Sequence, residues 1–328
     1  MRIKILSTIF KTAASLIVFI LFSFCLTAQG FLNNGSKFII PSGSYVFINS
    51  GDYTNTTVSS TDGTITLGGT LTADGDLTNN ADGTLAISGG TVDFDGSSSQ
   101  TINGSSATSF NNFTISGSGT TSLSANVTIA GNLTLSAGTF DLASYTANRS
   151  TEGGTMTVSN GATLKIGGTG TIPSNYATHS IGSTSTIEYD GTNQTITTLN
   201  SSQSYGHLAI SGSGTKTQTG NITVNGNLTI ASGPNLTLNA GVYLTIVGTL
   251  TLNGSECLIM KSNSSSTASL IDGGTISGSG SLKFERYLSE DKWHYFSTPI
   301  VDASSNNFWN AAMYKYNAST SAWQAITR

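Results

Sequence analysis

From Phe31 to about Lys283 the apolar residues come in pairs two positions apart, each pair enclosing a polar residue. Val127 and Ile129, Leu133 and Leu135, then Phe140 and Leu142 show the rhythm. Ile222 and Val224, Leu228 and Ile230, Leu236 and Leu238, Leu244 and Ile246, and Leu250 and Leu252 repeat it. Successive side chains of an extended chain point to opposite sides, so each pair marks a short strand with one apolar face. Thr223, Thr229, Thr237, Thr245 and Thr251 occupy the enclosed positions and supply β-branched propensity without an apolar outer surface. Gly, Asn-Gly, Asp-Gly and Ser-Gly turns separate the pairs, and helix signals are absent.

The rhythm repeats at longer range. Residues 110–135 (FNNFTISGSGTTSLSANVTIAGNLTL) recur at 205–230 (YGHLAISGSGTKTQTGNITVNGNLTI), 95 positions on, with 12 of 26 identical. Self-similarity of this kind means one unit stacked on copies of itself. Hairpins and a coiling parallel β-helix both fit such short strands. Linkers longer than two-residue hairpin turns favour the coil, with three strands and roughly twenty residues per turn, on the order of a dozen turns. The expected hand is right, as for parallel crossovers generally. A single coil buries too little to offset its ordering entropy, so coils must stack and both ends need caps. Phe38, Ile39, Ile40 and Pro41 are expected to begin the lower cap. The fold class predicted is therefore all-β, a right-handed parallel β-helix.

Composition narrows the setting. Charged residues make up 9% of the chain, well below the usual ~25%, leaving a polar but nearly uncharged surface. Between residues 38 and 260 the only bases are Arg149, Lys165 and Lys216, against twelve Asp or Glu. Nucleic acid is excluded as an expected partner, because counterion release needs clustered Lys and Arg. Arg2, Lys4 and Lys11 precede an apolar run, Leu16 to Leu26, and the small polar stretch Thr27, Ala28, Gln29. This reads as a signal peptide over 1–28, cleaved after Ala28, with no transmembrane helix afterwards. Lipidation at Cys25 is the weaker alternative, since Phe24 is bulky where that processing prefers a small residue. Cys257 is then the one cysteine of the mature chain, expected as a buried small hydrophobe.

The β-helix domain is assigned to 29–282. All three tryptophans, Trp293, Trp309 and Trp323, lie beyond it. A partial C-terminal β domain over 283–328 is expected to open a β-sandwich, with strands at Lys283–Leu288 and Trp293–Phe296.

Two motifs carry a resemblance. Val92, Asp93, Phe94, Asp95, Gly96 with Gln100, Thr101, Ile102 and Phe110 to Ile115 return as Ile187 to Gly191, Gln194 to Ile196 and Tyr205 to Ile210. Glu285, Arg286, Tyr287 is followed by Trp293, His294, Tyr295, Phe296, Ser297, Thr298, Pro299. Together they resemble the repeats, and the stretch after them, in large exported surface proteins of Bacteroidota-type bacteria. The resemblance implies an adhesin-like surface role, extracellular or at the outer cell surface, and no catalytic residues. Such proteins commonly end in a sorting domain for type IX secretion, so this chain is expected to be C-terminally incomplete. Extracellular polysaccharide, or the surface of a host or neighbouring cell, is the partner expected of that role.

Several residue clusters suggest chemistry on that scaffold. Asp93 and Asp95 project from one strand face roughly 7 Å apart, near the spacing of paired glycosidase carboxylates, as do Glu188 and Asp190. A carbohydrate-active hydrolase or lyase on a β-helix face is therefore the alternative function. The pair occurs in both copies beside Gly, which favours turn structure, and a lyase needs more bases than this chain supplies. Asp74, Asp76 and Asp82 offer oxygens to calcium, but their spacing fits neither the EF-hand nor the GGxGxD repeat. His179, His207 and His294 are too scattered for zinc. The Gly-x-Gly runs at Gly117, Gly212 and Gly278 lack the third glycine and helix of a dinucleotide site. Asn126, Asn132, Asn221 and Asn227 head Asn-x-Thr triplets, read as stacked Asn and Thr ladders rather than glycosylation sites. Trp293, Tyr295, Phe308, Trp309, Tyr314, Tyr316 and Trp323 read as sandwich core, with a glycan platform as the alternative and the helix as its spacer. No catalytic, cofactor-binding or metal-binding residue is assigned, and no cofactor is expected.

Overall fold

The computed structural model describes residues 30–49, 51–58, 61–82, 85–199, 203–289 and 314–325. Among these there is no helix. The chain divides into two compact units after Tyr287.

The first unit is a parallel β-solenoid. Twelve strands, from Phe31–Asn34 to Ile276–Ser277, form one hydrogen-bonded path, giving eleven turns. Register along this first sheet fixes the coil length, from 19 residues (Thr120 beside Thr139) to 26 (Leu250 beside Ile276). The remaining strands form an eleven-stranded sheet running from Lys37–Ile40 to Tyr176–Ile181. Further on they separate into a five-stranded sheet (Gln194–Ile196 to Leu282–Phe284) and a three-stranded one (Ile222–Val224 to Ser269–Asp272). Antiparallel pairing in this unit is confined to Tyr53–Val58 with Thr61–Asp62 and to the bridge Ser262–Thr267, among the described residues.

Every apolar pair named above points inward and is buried, and together they belong to one continuous core running from Ile40 to Ala268. Phe94, Phe113 and Phe140 stack through three coils with ring centroids 5.6 and 5.5 Å apart. At the N-terminal end of the described residues, Phe31 and Phe38 pack against the core with rings 4.8 Å apart. The expected cap segment, Phe38 to Pro41, falls in and just after Lys37–Ile40, the last strand of its sheet.

The long sequence repeat is out of phase with the coil. In the first copy Phe113–Ile115 lie on the eleven-stranded sheet, whereas their counterparts Leu208–Ile210 lie on the first sheet. From Ile115 to His207 the chain crosses the first sheet four times, and Leu208–Ile210 lie on the fifth crossing. The interchangeable unit is thus one strand with its turn. All faces offer it the same surroundings: parallel neighbours, an apolar interior and a polar exterior.

Turns cannot extend the sheet ladders, and Asn side chains do so instead. Oδ1 of Asn126 accepts from the Thr146 N–H (2.9 Å), Asn132 from Thr155 (2.9 Å), Asn221 from Tyr243 (3.0 Å) and Asn227 from Thr249 (2.9 Å). At these Asn positions side-chain-to-backbone bonds from one coil to the next take the place of stacked Asn, while the Thr of the triplets do stack in register, Thr134 between Thr114 and Thr157, Thr223 beside Thr245 and Thr229 beside Thr251. A true Asn ladder exists inside the core. Asn33, Asn55 and Asn79 stack in register, and Asn55 Nδ2 donates to Asn79 Oδ1 (3.1 Å) and to Gly63 O (3.0 Å).

One boundary differs from expectation. Leu282–Phe284 pairs in parallel with Leu258–Met260 as a rung of the solenoid, so it does not open a new domain. The apolar alternation Leu282, Phe284 continues the rhythm of the array, and the change of composition after it hid that continuity. Trp293–Phe296 lies outside the described residues. In the second unit, Tyr314–Asn317 pairs antiparallel with Ala322–Ala325, with Tyr316 and Trp323 edge to face at 5.3 Å.

Candidate functional site

The acidic pairs sit at the ends of strands that close with an Asp-Gly turn. Phe94 and Tyr189 point inward and are fully buried, which turns Asp93 and Glu188 outward. Each acid is tied to a serine one coil on. Ser116 Oγ donates to Asp93 Oδ2 at 3.0 Å, and Ser211 Oγ donates to Glu188 Oε1 at 2.6 Å. Burial lifts Asp93 above the ordinary carboxylate range. Burial, then the charges of Asp93 and Asp74, lifts Asp95 in the same direction. In the second copy Asp190 instead pairs with Lys165 at 2.9 Å. Lys165 stands in register between Asp141 and Glu188, and its bond to Asp190 raises its pKa. The two acidic pairs therefore occupy different faces, alike in the serine bond of the first acid and different at the second, where only Asp190 has a cation.

The rest of the motif is also bonded into the fold. Gly96 has no room for a Cβ, which would come within 2.7 Å of the Gln100 side chain. Gln100 is buried, and its Oε1 accepts from the Gly96 N–H (3.0 Å) while its Nε2 donates to Ala73 O (2.9 Å) and Gly75 O (3.0 Å). Gln194 makes the same three bonds, to the Gly191 N–H (2.9 Å), Ile166 O (2.9 Å) and Gly170 O (3.1 Å). A buried amide left without these partners would be costly, so Asp-Gly followed by Gln is a clamp that closes one coil on the coil before it.

Lys216 carries an inward ammonium that its sequence position gave no sign of. Its side chain is fully buried on strand Thr215–Gln218, and Nζ donates to Gly191 O (2.8 Å), Thr192 O (2.9 Å) and Ser213 O (2.6 Å). Burial lowers its pKa. Buried Tyr189 and Tyr205 face each other with hydroxyls 3.4 Å apart, and the Thr197 N–H donates to Tyr189 (3.2 Å).

The calcium trio is not brought together. Asp74 and Asp76 precede strand Leu77–Asn80 and Asp82 follows it. Asp76 Oδ1 accepts from the Thr101 N–H (2.6 Å), and the Asp82 N–H donates to Thr57 Oγ1 (2.6 Å). Among the described residues no three His, Cys, Asp or Glu cluster as metal ligands. His179 is a core residue opposite Met156, with its pKa lowered by burial. His207 Nδ1 accepts from the Asn227 N–H at 2.8 Å, and His294 lies outside the described residues. Cys257 is a buried free thiol, as its apolar surroundings predict. Gly117, Gly212 and Gly278 all lie in bends between strands. Of the C-terminal aromatics, Tyr314, Tyr316 and Trp323 are all substantially exposed, and Trp293, Tyr295, Phe308 and Trp309 lie outside the described residues. No helix of the described residues is long and apolar enough to cross a membrane.

No protein-family model matches the chain, and no curated protein and no solved structure matches it.

Proposed function

We propose that this chain is an exported β-solenoid that serves at the cell surface as a stalk or adhesive scaffold and performs no catalysis of its own. The observation that carries the reading is the fate of its polar motif. Gln100 and Gln194, with the acids Asp93, Glu188 and Asp190, are spent on bonds between coils, and the outer faces present Thr, Ser and Asn hydroxyls and amides in rows. Examples are Ser109 with Thr128 at 2.7 Å and Thr251 with Ser277 at 3.0 Å. An uncharged face of this kind suits contact with neutral polysaccharide or another cell surface. The resemblance to Bacteroidota-type surface proteins supports export by the type IX route after removal of residues 1–28. Antibody labelling of intact cells, with mass spectrometry of the mature N-terminus, tests the reading. Surface label and an N-terminus at Gln29 are expected; an internal protein that retains Met1 contradicts it.

A second reading, a carbohydrate-active enzyme, draws on Asp93 and Asp95, adjacent carboxyls whose pKa values are both raised. Its test is release of reducing ends or unsaturated uronides from polysaccharides by the parent chain, abolished in D93N/D95N.

A further inference from the structure

Between Gln194–Ile196 and His207–Ile210 the described residues 197–199 and 203–206 form no strand, and Tyr205 bridges in parallel to Val224. Tyr205 and Gly206 bond to the next coil, and from inside the buried Tyr189 and Tyr205 hold the segment at Thr197. Beside them lies a cavity of about 310 Å³, lined by Thr198, Gln203, Ser204, Asn221, Thr223 and Tyr243 among others. That volume falls at the lower end of the ~300–1,000 Å³ of small-ligand sites.

We propose that this cavity binds one residue of a neutral saccharide. None of its lining side chains is charged, so an acidic sugar would find no cation there to offset its desolvation. The lining instead offers hydroxyls and side-chain amides, which match sugar hydroxyls as both donors and acceptors. Tyr243 adds a ring that is 44% exposed, and the negative face of such a ring attracts the polarised C–H face of a pyranose. The backbone beneath that ring is pinned on both sides. The Tyr243 N–H donates to Asn221 Oδ1 (3.0 Å), and Gln218 Nε2 donates to Tyr243 O (2.8 Å) from the core. The backbone that carries the ring and the Asn221 amide are thus held in place before a ligand arrives, which reduces the ordering cost of binding.

The test is affinity electrophoresis of the full chain in gels containing laminarin, xylan or galactomannan, with polygalacturonate as the acidic comparison. Retardation by at least one neutral glycan is expected. Y243A, which removes an exposed ring, and N221D, which keeps the acceptor for the Tyr243 N–H but loses the amide donor, are each expected to weaken it at least about tenfold. Y45A, at the far N-terminal coil, leaves it unchanged, and unaltered melting of all three variants shows that the fold is intact. No retardation by any neutral glycan, retardation by polygalacturonate alone, or parent-like binding by Y243A overturns the proposal. Surface labelling of cells does not depend on this cavity, so failure here is distinguishable from failure of the scaffold reading.

Discussion

Ser116 donates to Asp93 across one coil at 3.0 Å, and Ser211 repeats the bond to Glu188 at 2.6 Å on a different face of the solenoid. A bond that recurs wherever the motif lands belongs to the scaffold. Asp93 therefore acts as a link between coils, and its charge is a cost to the fold. Its pKa is raised in the native state, so its contribution to stability is fully present below the unfolded-state pKa and lost as pH rises through the folded one. D93N is expected to melt with the parent at pH 3 and at the same or a higher temperature at pH 7. D95N, whose carboxyl is shifted in the same direction, should behave likewise. Calorimetry at the two pH values checks this, and a variant less stable only at pH 7 contradicts it.

Gln194 closes three buried backbone groups at once, so Q194A leaves the Gly191 N–H and the carbonyls of Ile166 and Gly170 without it. The expected loss is about 2–3 kcal/mol in urea unfolding, at about 1–3 kcal/mol for a buried group left unpaired. A loss no larger than that of an exposed outer-face change such as T229A would remove the clamp from the account.

Leu133 is fully buried between Phe113 and Met156 in the ladder. L133A should cost about 2–5 kcal/mol through the cavity it leaves. L133D buries a carboxylate among apolar neighbours and should abolish the native fold, read as loss of cooperative melting and of the β-sheet dichroism signal. A folded L133D would show that this position does not face the interior.

Coils that contact only their neighbours should be removable whole. Deleting residues 228–249 brings Leu250 against Leu208 in the place of Leu228, preserving register on the first sheet. The shortened chain is expected to fold cooperatively, with a urea m-value smaller by about one-eleventh, since m scales with the surface exposed on unfolding. Aggregation of this deletion, beside a soluble parent, would argue against modular stacking.

The strands themselves were legible because apolar pairs with one residue between them have a single reading when the enclosed residue is Thr. Leu228, Thr229 and Ile230 sit in the structure as that pattern requires. The phase of the long repeat was not legible. One strand unit fits every face equally well, so similarity between residues 110–135 and 205–230 carries no information about which face each occupies. Polar residues that point inward were hidden as well. Lys216, Gln218 and Asn55 follow the alternation of their strands but break its polarity, and each is held by carbonyls or amides from other turns and coils. Gln100 and Gln194 did leave a signal, as the polar residue after an Asp-Gly turn in both copies at an inward position. The cavity beside Tyr243 was hidden too, because its lining comes from residues of successive coils, Thr198 and Gln203 with Asn221 and Tyr243, which periodicity alone does not bring together.

Distances between spin labels test the stacked parallel solenoid most directly. Ser122, Asp141, Lys165, Glu188, Ala209, Thr229 and Thr251 stand in one outward row, each in register with the next. With Cys25 and Cys257 replaced by Ala, cysteine-attached labels at Ser122 and Ala209 lie four rungs apart, and labels at Ser122 and Thr251 lie six apart. At about 4.8 Å per rung, pulsed electron resonance should give roughly 19 Å and roughly 29 Å. A second distance equal to or shorter than the first would contradict the solenoid.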